Sequence, residues 1–240
     1  MTIDEILNIT NHRPWPLPLT NWKYYQEWNN AIFLHWKVNA EVLRKFVPAE
    51  LEIDMFEGTP WVSLVAFRMD KVRIRYLPSF APISCFDEVN IRTYARYKNK
   101  AGVYFLSIEG GTALSCRLAK AMSELPYRYS RMSHTDSYYS SYNAPYGDKL
   151  EIDFKIGQPM SNKSDLDRWL TARYALFQDA GAFINEFEIH HVEWPTYEID
   201  LQKLTVSYNR FGALLSRAPD ASHYSTGVQV LGWGKRKNRR

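Results

Sequence analysis

Between residues 85 and 97 the chain reads CFDEVNIRTYARY, with Glu88, Asn90, Arg92 and Tyr94 at every second position and Val89, Ile91 and Thr93 between them. In a β-strand successive side chains point to opposite faces, so a carboxylate, an amide, a guanidinium and a phenol share one face. Other runs alternate or stay apolar in the same manner: AIFLHWKV, LEIDMF, PWVSLVAFRM, KVRIRYL, VYFLSIEG, several between YRYSRMSH and KLEIDFKIG, then FINEFEIHHVEWP and HYSTGVQVLGW. Turn signals at Glu57-Gly58 and in KNKAG join neighbours closely enough for antiparallel pairing.

Helical spacing is rarer. DEILNI predicts a short helix, and NAEVLRKFVP one that starts at Asn39 and stops at Pro48. ALSCRLAKAMSEL carries Leu114, Leu118, Met122 and Leu125 along one expected apolar face, ending before Pro126. SDLDRWLTARYALFQDAG predicts a helix with Ser164 and Asp167 as its capping box and Gly181 at its C-terminus. HRPWPLP is an extended arm carrying Trp15, and the polar segment around Pro219 carries no assignable element. About ten strands in runs, with three or four helices, predict an α+β fold, mainly antiparallel β and suited to closure into a barrel. No linker or repeat divides the chain, so residues 1–234 are expected to form one domain and 235–240 a basic C-terminal tail.

Composition adjusts this picture in one respect. Hydrophobic residues are 45% and charged residues 23% of the 240, an ordinary globular balance, while 15% aromatic content favours strands and half-polar surfaces over a Leu/Ala-rich bundle. The net charge of +4 belongs to the tail: removing its five basic residues leaves 25 basic against 26 acidic side chains, or −1. Specific nucleic-acid binding is therefore not expected. Two cysteines without CxxC spacing fit a reducing cytoplasm, and no segment has the length and apolarity of a membrane helix or the layout of a signal peptide. The oligomeric state is left open.

Candidate chemistry is sparse. His190 and His191 fall on opposite faces of a continuing strand, and no HxH or HExxH spacing completes a metal set. His35 reads as an ordinary strand histidine. IEGGTAL lacks the later Gly and Lys of a phosphate loop and reads as a tight turn, so no nucleotide cofactor is expected. Gly-x-Ser-x-Gly and Ser-x-x-Lys are absent. The alternating face of Glu88, Asn90, Arg92 and Tyr94 remains, as a solvated ladder on a one-sided sheet, a buried register-setting network, or a desolvated acid–base or carboxylate-binding centre.

Taken together, HRPWPLP, FLHWKV, LRKFVPAELEIDMFEGTPWVSLVAFRM, FDEVNIRTYARY, GVYFLSIEGG, LPYRYSRM, WLTARYALF, HHVEWP and HYSTGVQVLGW keep an order that resembles the YqjF-like family of uncharacterised conserved proteins, from about Arg13 to Trp233. That family looks like a distant relative of acetoacetate decarboxylase. The resemblance implies a cone-shaped antiparallel barrel with flanking helices around an apolar cavity. In the decarboxylase a strand glutamate is followed by a helix with an Arg-Glu start, then Gly-x-Pro and two lysines, the first of which forms a Schiff base. Here Glu88 is similar to the glutamate, Arg117 to the helix arginine and Leu125-Pro126 to the turn, but Tyr127 and Arg128 stand where the lysines are expected. Neither a phenol nor a guanidinium forms a Schiff base. The resemblance thus implies a pocket with Glu88 as its functional carboxylate and Asn90, Arg92, Tyr94, Arg117, Tyr127 and His190 or His191 around a small carboxylate or carbonyl ligand. It also implies neither cofactor nor Schiff-base decarboxylation. A non-catalytic protein whose polar ladder is a packed network is the alternative.

Overall fold

A computed structural model describes all 240 residues. The strands are β1 (Tyr24–Lys37), β2 (Glu52–Ile53), β3 (Met55–Phe56), β4 (Thr59–Ile74), β5 (Phe86–Tyr97), β6 (Lys100–Gly110), β7 (Tyr127–Tyr129) and β8 (Arg131–Thr135). They continue with β9 (Tyr138–Asn143), β10 (Asp148–Pro159), β11 (Ala175–Ala180), β12 (Phe183–His190), β13 (Thr196–Ser207), β14 (Ala221–Gly232) and β15 (Arg236–Arg239). The helices are α1 (Ile3–Asn8), α2 (Ala40–Arg44), α3 (Ala81–Ser84), α4 (Ala113–Ser123), α5 (Asp165–Thr171) and α6 (Gly212–Leu215), the last preceded by a 3-10 turn at Asn209–Phe211.

Seven strands run in the order β12-β11-β6-β5-β4-β1-β14, and β14 then pairs with β12 through Ile189 with Gly232 and His190 with Leu231, closing a ring. The first part of β14 pairs instead with β13, from which β10, β9 and β8 continue the sheet. Pairing is antiparallel except for β6 with β11 and with β7. At Gly102 a Cβ would collide with the Ala175 carbonyl, so the close approach of β6 and β11 requires glycine. At Gly227, φ is +130° and a Cβ would meet the Trp28 carbonyl, so its pairing opposite Asn29 requires glycine; Asn30, at φ 50°, lies in the register irregularity of β1 against β4 between Asn29 and Ile32.

Both faces of the central strands are buried. Residues paired across strands share a face, and one face of β1, β4 and β5 places Ile32, Leu34, Val62, Leu64, Val89 and Ile91 in a cluster with Leu150, Ile152 and Phe154 of β10. The opposite face carries Ala31, Phe33, Val65, Phe67, Met69, Phe86, Val228 and Val230, joined by Trp194 and by Ile189 of β12. The first face is covered by β10, which lies beyond the ring, whereas the second packs against Ile189 and Trp194 at the β12–β14 closure; the second is therefore the ring's inner face. The first lies between the ring and the β13-β10-β9-β8 extension.

The amino-terminal arm ties itself across the closing strand. The Arg13 guanidinium is buried, donates to the Ile189 carbonyl at 2.7 Å and stacks 4.8 Å from the Tyr174 ring, while Trp15 Nε1 donates to Glu188 at 2.9 Å. Lys100 also pairs with Glu186 and Glu188.

Several expectations are corrected. Residues 235–240 are not a solvated tail: β15 pairs with β12, Lys235 Nζ lies 2.5 Å from Glu124, and Asn238 is buried. The helix expected to reach Gly181 stops at Thr171, although its Ser164/Asp167 capping box is present; Ala175–Ala180 is a strand, and Gly181 at φ +67° turns the hairpin into β12. PWVSLVAFRM and the start of KVRIRYL form the single strand β4, with Lys71 at φ 51° inside it. Thr196–Ser207, part of the unassigned polar segment, is β13. Leu114, Leu118 and Met122 face outward at 51, 39 and 50% exposure. The small side of α4 docks instead, because Gly110 has no Cβ and leaves room for the Cys116 sulfur.

Truncation after Gly234 is expected to lower the melting temperature by roughly 2–8 °C, the effect of losing about 1–2 kcal/mol in a chain of this size. An unchanged transition in differential scanning calorimetry would restore the solvated-tail reading.

Candidate functional site

Ten successive residues of β5, Phe86 to Ala95, are buried, so the ladder of Glu88, Asn90, Arg92 and Tyr94 is not a solvated sheet face. Cross-strand register sets its surroundings. Glu88 lies opposite Phe67, Asn90 opposite Val65, and Arg92 opposite Ser63; Ser63 in turn lies opposite His35, and Val65 opposite Phe33. These side chains therefore share the inside of the ring.

Glu88 is 3% exposed. Tyr127 donates its hydroxyl to Glu88 Oε2 at 2.8 Å, and Asn90 Nδ2 donates to Oε1 at 3.2 Å. Burial pushes the Glu88 carboxyl up to about 7, against the weaker opposing pull of the Tyr127 and Asn90 hydrogen bonds and the Arg92 charge. The same burial, with the Glu88 charge added, drives the Tyr127 phenol well above its ordinary value. Cys116, behind this pair, is raised to about 11 by burial and by Glu88.

Arg92 is the unbalanced group. It is 8% exposed, forms no ion pair, and its Nε is buried without an acceptor, the Tyr94 hydroxyl being the polar group beside the guanidinium. Its guanidinium carbon lies 5.8 Å from the Phe33 ring centroid. Burial lowers its pKa, partly offset by Tyr94 and Glu88. The Asn90 Oδ1, one step along the face, is likewise buried without a donor. Such groups leave several kcal/mol of desolvation uncompensated by the protein.

An aromatic wall adjoins them. Trp194 meets Phe33 edge-on at 5.0 Å and stacks with Trp28 at 6.0 Å, and His191 lies 5.5 Å from Trp194. His191 is thus the histidine on the ring's inner side, its Nδ1 donating to the Val192 carbonyl at 2.7 Å and its pKa lowered to about 3 by burial. His190 is not part of this group. It packs under α1, with Nε2 2.8 Å from the Ile6 carbonyl and Nδ1 3.3 Å from Arg13. Arg117 is also separate, because α4 docks through Ser115 and Cys116 and leaves Arg117 exposed.

Tyr94, wholly buried, reaches further than the sequence indicated. Its hydroxyl lies 2.6 Å from Ser63 Oγ and donates to the Leu170 carbonyl at 2.8 Å, while its ring packs 4.4 Å from Trp169. Ser63 Oγ is 2.6 Å from His35 Nδ1. Ser63, His35 and the aromatic wall went unrecognised as site residues; their signal was the register of β1 and β4 against β5, which sequence alone does not supply. No cluster of three or more His, Cys, Asp or Glu is arranged to hold a metal ion. An open groove of about 700 Å³, lined by Tyr25, Glu27, Lys71, Arg73 and Gln229 among others, lies away from the ladder.

Comparison with known proteins places this geometry in context. The pattern of a family described as "uncharacterized conserved protein", DUF2071, matches residues 25–229. The uncharacterized protein YqjF of Bacillus subtilis (strain 168) is 33% identical over 225 residues, covering 90% of this chain and 93% of that protein. Among solved structures, one acetoacetate decarboxylase superposes with a TM-score of 0.65 at 13% identity, covering 100% of this chain and 98% of that one. The acetoacetate decarboxylase of Legionella pneumophila subsp. pneumophila str. Philadelphia 1 gives 0.62 at 13% identity, covering 96 and 94%. The enduracididine biosynthesis enzyme MppR complexed with pyruvate gives 0.60 at 13% identity, covering 91% of each. At these identities the structural likeness establishes the acetoacetate decarboxylase-like fold.

The raised Glu88 carboxyl makes stability depend on pH. The folded state holds this proton up to about 7 and the unfolded chain only to 4.5, so stability is highest below 4.5 and falls as pH rises through 7. Glu88→Gln keeps the shape without the charge. It is expected to match wild type near pH 5 and exceed it by up to about 3 kcal/mol at pH 8. Urea denaturation at both pH values checks this, and a constant difference would place Glu88 in a solvated setting.

Proposed function

The chain belongs to the DUF2071 family of uncharacterized conserved proteins, and we propose that its ring encloses a binding site for a small organic carboxylate, with acid–base chemistry centred on Glu88 and without Schiff-base decarboxylation. One observation carries this reading: Arg92 is a buried guanidinium with no ion-pair partner in the protein and with an Nε that has no acceptor. A guanidinium presents a planar fork of donors that matches a carboxylate. An anion there completes a charge balance that the fold leaves open.

Roles follow from position. Arg92 anchors the carboxylate; Phe33, Trp194 and Trp28 supply an apolar wall; Asn90 offers its free oxygen to a ligand donor. Glu88, with its pKa near 7, takes or gives a proton, and Tyr127 holds it in place. A cytoplasmic setting fits the two unpaired cysteines. That an enzyme of the same fold has been obtained with pyruvate bound supports the choice of pyruvate as a probe.

Schiff-base chemistry lacks its amine. No lysine is among the buried polar side chains, and Tyr127 is the neighbour of Glu88. Treatment with acetoacetate and borohydride is expected to leave the protein mass unchanged; a stable adduct would overturn this part of the proposal.

A second reading has its own support. Glu88 and Asn90 are each 3% exposed and bonded to one another, as in a packed register-setting network. Thermal-shift measurements with acetate and pyruvate separate the two. Wild type is expected to gain about 2.7 kcal/mol, several degrees, at a hundredfold excess over Kd. Arg92→Met should melt at or above the wild-type temperature, since a buried unpaired charge is removed, yet show no carboxylate response. Equal shifts in both proteins, or none in wild type, would favour the packed network.

A further inference from the structure

From the Arg92 neighbourhood a line of hydrogen-bonding groups runs to the protein surface. The Tyr94 hydroxyl is 2.6 Å from Ser63 Oγ, which is 2.6 Å from His35 Nδ1. His35 Nε2 is 3.2 Å from His223 Nδ1, and His223 Nε2 is 2.9 Å from Asp167 Oδ1. The line joins β5, β4, β1, β14 and α5, so no single element's local geometry produces it. Its inner members are sealed: Ser63, Tyr94 and His35 are fully buried and His223 is 2% exposed, whereas the Asp167 carboxylate is 17% exposed in the first turn of α5.

We propose that Tyr94, Ser63, His35, His223 and Asp167 form a proton relay between the inside of the ring, beside Arg92, and the solvent. What the relay serves rests on the carboxylate site proposed above; the relay itself is read from the five residues. Its direction follows from Asp167. An ionised carboxylate only accepts, so His223 Nε2–H donates to it and His223 Nδ1 is left as an acceptor. His35 Nε2–H then donates to His223, which leaves His35 Nδ1 to accept from Ser63, and Ser63 Oγ to accept from Tyr94.

A proton given up by a ligand to the Tyr94 oxygen shifts each bond by one place. Tyr94 passes its own proton to Ser63, Ser63 to His35 Nδ1, His35 from Nε2 to His223 Nδ1, and His223 from Nε2 to Asp167. Every relay atom ends with a compensating change, both imidazoles exchange tautomers, and one proton has moved from ligand to the surface carboxylate. The Leu170 carbonyl, 2.8 Å from the Tyr94 oxygen, is the competing acceptor. Rotation of the Tyr94 hydroxyl between Leu170 and Ser63 opens or connects the line.

A neutral His35 suits this transfer. His35 is held well below its ordinary pKa by burial, then by His223 and Arg92. Asp167 is held below its own by hydrogen bonds from Ser164 and His223, which outweigh the opposing effect of burial. The groups facing His35 are Ser63 of β4, Arg92 and Tyr94 of β5, and His223 of β14; Asp167 of α5 faces His223.

The test is nitrogen NMR on the full chain labelled with 15N-histidine, with His35→Gln and His223→Gln assigning the signals. Both imidazoles are expected to carry a proton on Nε2, with His35 Nδ1 bare. Replacing Asp167 should move the His35 and His223 signals together, although His35 does not touch Asp167. In Asp167→Ala both should lose their single tautomer. A His35 spectrum unchanged while His223 responds, or a His35 proton on Nδ1 in wild type, would overturn the relay. Adding acetate separates this result from the carboxylate site: coupled histidines blind to acetate count against Arg92 as an anchor only, and uncoupled histidines that sense acetate count against the relay only.

Discussion

The pairing of β12 with β14 is short, Ile189 with Gly232 and His190 with Leu231, yet the rest of the interior depends on it. Without it the sheet is an open ribbon, and the polar side of β5 is one solvated face. With it, that face becomes the lining of a ring, and every group on it loses water. The chain ends reinforce this junction: the arm at Arg13 and Trp15 grips Ile189 and Glu188, and β15 pairs along Phe183 to Glu186. Both termini thus support the one contact that converts an ordinary alternating strand into a desolvated site.

Desolvation alone does not explain the charge pattern there; strand geometry does. Glu88 and Arg92 are four residues apart on one face, about 13 Å of rise, with Asn90 between them. A carboxylate and a guanidinium so placed on one extended strand do not close into an ion pair. Glu88 takes its hydrogen bonds from Tyr127 and Asn90, and the Arg92 Nε finds no acceptor. The elevated carboxyl and the unpaired cation are therefore two consequences of one spacing. Elsewhere the molecule pairs its buried charges, as in Arg173 with Asp54 at 2.7 Å and Arg128 with Glu109 at 2.6 Å.

How much of this could be read from the sequence varied with the range of the signal. Period-two alternation located β5, and capping residues placed the starts of α2 and α5 correctly, because both are local. Helical spacing misled twice. Residues 175–180 satisfy a helix pattern but pair with β12 and β6, and the apolar stripe of α4 faces outward because Gly110 accepts Cys116. The basic ending read as a tail because charge dominates its composition, whereas its backbone completes an edge strand. Whether the β5 face met water or the ring's inside depended on a pairing between residues 190 and 231, which no local pattern contains. The same limit hid His35 and Ser63, whose nearness to Tyr94 and Arg92 is a matter of register across three strands.

Tyr127 shows how a single position changes what the remaining groups do. A lysine there would give Glu88 a cation, hold the carboxylate ionised and leave the amine as the reactive group. A phenol donates one neutral hydrogen bond, too little to offset burial, so the carboxyl sits near 7 and becomes a group that exchanges a proton at physiological pH. The positive charge on this face then belongs to Arg92 alone, which neither forms imines nor gives up its proton. In the proposed function, covalent capture of a carbonyl gives way to ionic capture of an anion beside a titratable carboxyl, and the nearness of those two groups follows from the spacing along β5.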